Sequence, residues 1–111
     1  MNYLVQMKTA HRPASPQEGT AFIEQRILPT LELCRKLEGE RKIVAGGPVS
    51  GAIALSLIVA ADSAQELDAL VTNLPVWPLM ETTITPLTTF DGRMHALRAR
   101  LEQVKSQEGS R

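Results

Sequence analysis

An α+β domain, one antiparallel sheet with helices on one face, is what this sequence predicts, and three observations predict it. Hydrophobic residues alternate with a period of two at Tyr3, Val5 and Met7, then recur at helical spacing at Ile23, Ile27, Leu31 and Cys34, so strand and helix follow one another along the chain. Proline and glycine clusters punctuate the changes of period. The chain has 111 residues, 43% of them hydrophobic and 22% charged, which suits a single compact domain spanning residues 1–111.

The elements follow in order. Tyr3 to Met7 forms the first strand, with one apolar and one mixed face. Thr9 to Pro16, with its two prolines, reads as a loop. Ser15, Pro16 and Glu18 open a helix: a serine cap, a proline where its missing N–H costs nothing, and an acidic residue three past the cap. That helix is expected over 16–38. Pro29 inside it removes the hydrogen bond to the Gln25 carbonyl and should kink or break it near Leu28; Gly39 supplies the stop. Arg41 to Ala45 reads as a short second strand ended by Gly46, Gly47 and Pro48, with Gly51 close behind; three glycines and a proline within six residues make this a hairpin connection or a bulged strand.

Ala52 to Ala61 reads as a third strand, apolar on both parities: Ile53, Leu55, Leu57 and Val59 on one face, Ala52, Ala54, Ile58 and Ala60 on the other. Both faces are expected to be buried, and because an antiparallel sheet normally leaves one face polar, a partner subunit is expected over the second. Asp62 or Ser63 caps the next helix, with Glu66 three residues after Ser63 as in a capping box, Ala64, Leu67, Leu70, Val71 and Leu74 as its apolar stripe and Pro75 as its end. Met80 to Phe90 reads as a fourth strand, interrupted by Pro86, which confines that end to a sheet edge or a bulge. Asp91 is expected to cap a last helix over 91–105 with Met94, Leu97, Leu101 and Val104 on one side; 106–111 reads as a frayed tail. Strand, helix, strand, strand, helix, strand is the ferredoxin-like βαββαβ order, here with an extra C-terminal helix, and the doubly apolar third strand predicts pairing of two sheets into a dimeric α+β barrel.

Composition excludes several functions. Twelve basic residues balance twelve acidic ones, so no basic footprint marks a nucleic-acid binder. The longest apolar run is far shorter than the roughly 20 residues that cross a bilayer. A single cysteine, Cys34, forbids an internal disulfide and fits a reducing, cytoplasmic setting; it reads as a small core residue. No His, Cys or carboxylate spacing suits a metal, and the glycines do not form a phosphate loop.

The most distinctive stretch is Leu74-Pro75-Val76-Trp77-Pro78-Leu79-Met80, continued by Ile84-Thr85-Pro86-Leu87. It resembles the muconolactone isomerase family, in which a leucine-proline, an apolar and an aromatic residue, a second proline and a methionine lead from the second helix into the last strand. The resemblance implies a cofactor-free proton shift in a small unsaturated lactone of aromatic-compound breakdown. That chemistry needs a base near neutrality, a donor for the developing oxyanion and a cation for the substrate carboxylate. His11 is the first choice for the base, at the end of strand one, and Glu81 the second, if burial raises its pKa. Arg12 and Arg41 are candidates to hold the carboxylate, and Trp77 and Met80 to line the pocket. The same proline-bracketed tryptophan also reads as a rigid packed corner, His95 as a residue at the edge of the last helix, and the arginines of that helix as a solvated face or a subunit contact. Besides the isomerase, two functions stay open: a non-catalytic protein of this fold that binds a small molecule or serves as an assembly unit, and a cofactor-free small oxygenase or dechlorinase.

Overall fold

The structure, a computed structural model, describes residues 1–9 and 12–109. Its elements are β1 (Asn2–Thr9), α1 (Pro16–Phe22), a π-helical stretch (Ile23–Ile27), α2 (Leu28–Gly39), β2 (Ile43–Pro48), β3 (Ala54–Ala60), α3 (Ala64–Thr72), a 3-10 turn (Trp77–Leu79), β4 (Met80–Leu87) and α4 (Phe90–Gly109). The sheet order is β2-β3-β1-β4 and every neighbouring pair is antiparallel. Each β-α-β half thus lays its two strands on either side of a strand from the other half, which is the ferredoxin-like arrangement. No helix of the described residues is long and apolar enough to cross a membrane.

Both main helices begin by the same device. Ser15 Oγ accepts the Glu18 N–H at 3.1 Å while the Glu18 carboxylate accepts the Ala14 N–H; Ser63 Oγ accepts the Glu66 N–H at 3.1 Å while the Glu66 carboxylate accepts the Asp62 N–H. Two otherwise orphaned donors are satisfied at each start. Pro29 neither breaks nor sharply ends the first helix. It has no N–H to offer Gln25, and the chain widens by one residue so that the Leu28 N–H reaches back to the Ile23 carbonyl, a π-turn that leads directly into α2.

The core lies between helices and sheet: Tyr3, Val5 and Met7 of β1, Leu55, Leu57 and Val59 of β3 and Ile43 of β2 pack against Leu37, Leu67, Val71, Leu74 and Val76. Of the two arrangements expected for the glycine-rich stretch, the structure has the bulged strand: β2 bulges between Ile43 and Ala45 and continues through Gly46, Gly47 and Pro48, where Gly46 adopts φ +100° and brings its backbone against Ser56. Two expectations need correction. Arg41 is not in the strand. With φ +62° it takes the left-handed position expected of glycine at a helix end, its N–H bonding the Glu38 carbonyl and the Lys42 N–H the Leu37 carbonyl, so Arg41 and not Gly39 provides the stop. β3 is shorter than 52–61. Ala52 and Ile53 belong to the hairpin turn closed by the Val49 N–H to Ala54 bond, and Ala54, Ser56, Ile58 and Ala60 are half-buried on the face away from the helices.

The last segment also differs in detail. β4 ends at Leu87 and is an edge strand, which accommodates Pro86. The cap of α4 is Thr89, whose Oγ1 accepts the Gly92 N–H at 2.9 Å; Asp91 sits in the first turn. The helix runs on through Gly109, past the expected end at Lys105.

Candidate active site

A cleft opens between the layers at the end of the sheet where β4 begins. Ile27, Thr30 and Leu31 of the π-turn and α2 form one wall, Pro48, Ala52 and Ile53 of the β2–β3 connection the other; Ala54, Leu55 and Met80 form the floor, with Val76 at the back. It encloses about 430 Å3 including its mouth, and its lining is apolar apart from the Thr30 hydroxyl.

One buried threonine fixes its geometry. Thr30 is 1% exposed; its Oγ1 donates to the Arg26 carbonyl at 2.7 Å and accepts the Val76 N–H at 3.1 Å. Arg26 adds a second link, its Nη1 donating to the Pro75 carbonyl at 3.1 Å. The π-turn is therefore tied to the proline-rich corner, and the Trp77 and Leu79 N–H groups close that corner onto Leu74 and Val76. Sequence reasoning missed Thr30, although its spacing of three, four and seven from Leu33, Cys34 and Leu37 places it on the buried side of α2.

The candidates named from sequence fall in different places. Met80 lines the cleft. Trp77 is 40% exposed and does not line it. Glu81, next to Met80, turns to the other face of the sheet, where its carboxylate lies 3.7 Å from Lys8 Nζ with both side chains mostly exposed; solvent screening makes such a pair weak. Glu81 and Lys8 there border a second depression, of about 610 Å3 including its mouth, with Gln6, Ser56 and Thr83. Arg41 lies beyond the opposite end of the sheet, next to the Ile43–Val59–Tyr3 register; six residues of strand separate that register from Thr9, about 20 Å. Arg12 is exposed on the segment leading to α1. His11 lies outside the described residues. Two residues before it, the Thr9 N–H bonds the carbonyl of Ile53, a cleft residue. Among the described residues no ionisable side chain lines the cleft, and no group of three or more His, Cys, Asp or Glu is placed to hold a metal ion. Thr82 adds a signal invisible in sequence: its Oγ1 is buried without a hydrogen-bond partner, on the same face of β4 as Met80.

Cys34 packs half-buried against the core, and burial raises its thiol above the ordinary value of 9.0. Above pH 9 the unfolded chain has released a proton that the folded chain still holds, so stability falls as pH rises through the window between the two values. Urea unfolding at pH 8 and pH 10 should show a larger loss for the parent chain than for Cys34→Ala.

The family model described as muconolactone delta-isomerase matches residues 1–92. The chain belongs to the muconolactone delta-isomerase family. That match takes in every element lining the cleft and ends within the first turn of α4. Among solved structures, the chain is similar to a muconolactone isomerase, with 21% identity, a TM-score of 0.66 and 80% of this chain aligned to 90% of that one. It is also similar to the 5-chloro-2-hydroxyhydroquinone dehydrochlorinase of Burkholderia phenoliruptrix AC1100, solved with 2,5-dihydroxybenzoquinone, with 24% identity, a TM-score of 0.58 and 83% aligned to 98%. At these identities the likeness establishes the shared fold. No curated protein matches the chain by sequence. Both solved relatives are covered almost end to end while about a fifth of this chain is left over, so this member of the muconolactone delta-isomerase family is longer than either.

Proposed function

We propose that this protein is a cofactor-free isomerase that shifts a proton on a small unsaturated lactone, or a related anionic metabolite, in aromatic-compound catabolism. The observation that carries this reading is the family match across residues 1–92, which includes the whole cleft. In the proposed reaction a base takes a carbon-bound proton, the charge spreads onto the carbonyl oxygen, and the proton returns at another carbon. Apolar walls suit the ring and strengthen any hydrogen bond to the developing oxyanion. His11 is the proposed base, close in sequence to Thr9 and its bond at the cleft wall. Arg12 is preferred to Arg41 for the carboxylate, because Arg41 lies at the far end of the sheet. We further infer that a second copy covers the open sheet face, where Leu4, Ile58 and Ala60 are half-exposed in the single chain.

Mixing the purified protein with a muconolactone and following the ultraviolet spectrum tests the proposal: a steady change is expected, and an unchanged spectrum at high enzyme concentration removes the isomerase reading. His11→Ala should slow turnover at least about tenfold, the effect of losing a general base being commonly larger, while Glu81→Gln should leave the rate nearly unchanged. The reverse pattern would assign the base to Glu81. The absence of an ionisable group from the described cleft lining favours one second reading, a protein that binds such a molecule without transforming it. Ligand-dependent thermal stabilisation without turnover is the outcome that would establish it.

A further inference from the structure

Among the described residues, no other element packs extensively on α4. None of its residues is buried, and it projects so far that the molecule measures 73 Å along its longest axis against 29 and 24 Å across. Its large apolar residues are Phe90, Met94, Leu97, Leu101 and Val104, exposed by 91, 42, 56, 53 and 45%. They recur at four, three, four and three residues, the heptad spacing that makes a narrow seam for another helix. The family match ends at residue 92, so the seam is an addition to the family's cleft-forming body.

We propose that α4 pairs with α4 of a second copy as a short antiparallel coiled coil. The spacing of the seam and its charge order favour that occupant. In an antiparallel register centred between Leu97 and Leu101, Phe90 falls opposite Glu108 of the second copy and adds no apolar contact; with roughly 200 Å2 of surface per large side chain, the exposed fractions of Met94, Leu97, Leu101 and Val104 amount to about 400 Å2 per helix and about 800 Å2 for two, the size of a weak interface. Taking Met94 and Leu101 as a and Phe90, Leu97 and Val104 as d, the e positions hold Asp91, Arg98 and Lys105 and the g positions Arg93, Arg100 and Gln107. A parallel pair would set Arg93 against Arg98 and Arg100 against Lys105, all like charges. In the antiparallel pair Leu97 packs against Leu101 of the second copy and Met94 against its Val104. Asp91 then meets Lys105 at both ends, Arg93 meets Gln107, and like charges face each other only at Arg98 and Arg100 beside the two-fold axis. Arg98 has Glu102 one turn on to offset it.

The test is the absolute mass of the full chain by light scattering, parent against the Leu97→Glu, Leu101→Glu double variant. Both positions are exposed in the single chain, so the body should fold unchanged. The mass is expected to halve in the variant: tetramer to dimer if the sheet faces also pair, dimer to monomer if they do not, so the residual mass reports separately on the sheet-face contact. An unchanged mass, or a monomeric parent, overturns the proposal. Orientation is read by mixing Leu97→Cys and Leu101→Cys chains, each also carrying Cys34→Ser, under oxidation. A mixed disulfide is expected to predominate; Leu97→Cys linking mainly to itself would overturn the antiparallel pairing.

Discussion

Gly46→Ala is expected to destabilise the fold by roughly 3 to 5 kcal/mol, among the larger effects of a single substitution. Gly46 holds φ +100°, where a side chain is strained, and a Cβ there would collide with the Ser56 carbonyl oxygen and stand 2.8 Å from Leu57 Cα. Those atoms belong to β3, an interior strand bonded on both sides, so they cannot withdraw without breaking the ladder. Gly47 provides the control: a Cβ there would meet nothing within 4 Å, and Gly47→Ala should change stability by less than about 1 kcal/mol. Urea unfolding followed by circular dichroism measures both, and equal midpoints would contradict the close approach of β2 and β3.

Thr30→Val should cost about 2 kcal/mol although it preserves shape and volume. It removes the acceptor of the Val76 N–H and leaves that buried donor unsatisfied, which is more costly than the mean value of a hydrogen bond. Thr30→Ser keeps both bonds and loses one methyl, so it should cost less than half as much. Because Thr30 and Val76 both line the cleft, the valine variant should also weaken ligand-dependent thermal stabilisation, whereas the serine variant should largely keep it. Equal losses in the two variants would assign the role of Thr30 to packing.

How far the sequence could be read depends on how local each cause is. The alternation of Tyr3, Val5 and Met7, the two Ser-x-x-Glu helix starts and the stripe of α3 act over a few residues, and the structure reproduces them. Glycine and proline are poor strand residues on average, so the sequence leaves residues 46–51 open between a turn and a bulged strand, and the approach of Gly46 to Ser56, ten residues away, decides it. Arginine rarely takes the left-handed position, so nothing local marks Arg41 as the helix stop. The second face of β3 is half-open in the single chain, the face on which a second copy is proposed to pack. At the site, Met80 lines the cleft. Thr30 was missed because its two bonds reach Arg26 and Val76, and the second of these joins opposite halves of the chain. Alternation along β4 fixes only that Glu81 faces away from Met80; its place opposite Lys8 shows which face that is.

The projecting α4 also affects how any solution size must be read. The radius of gyration is 19.7 Å, against about 13 Å for a compact chain of this length. A rod on a small body drags through solvent like a larger particle, so an isolated copy would elute early from a gel-filtration column and mimic a higher species calibrated on spheres. Elution volume alone therefore overstates assembly for this shape, and frictional ratios from sedimentation would separate one elongated copy from two compact ones.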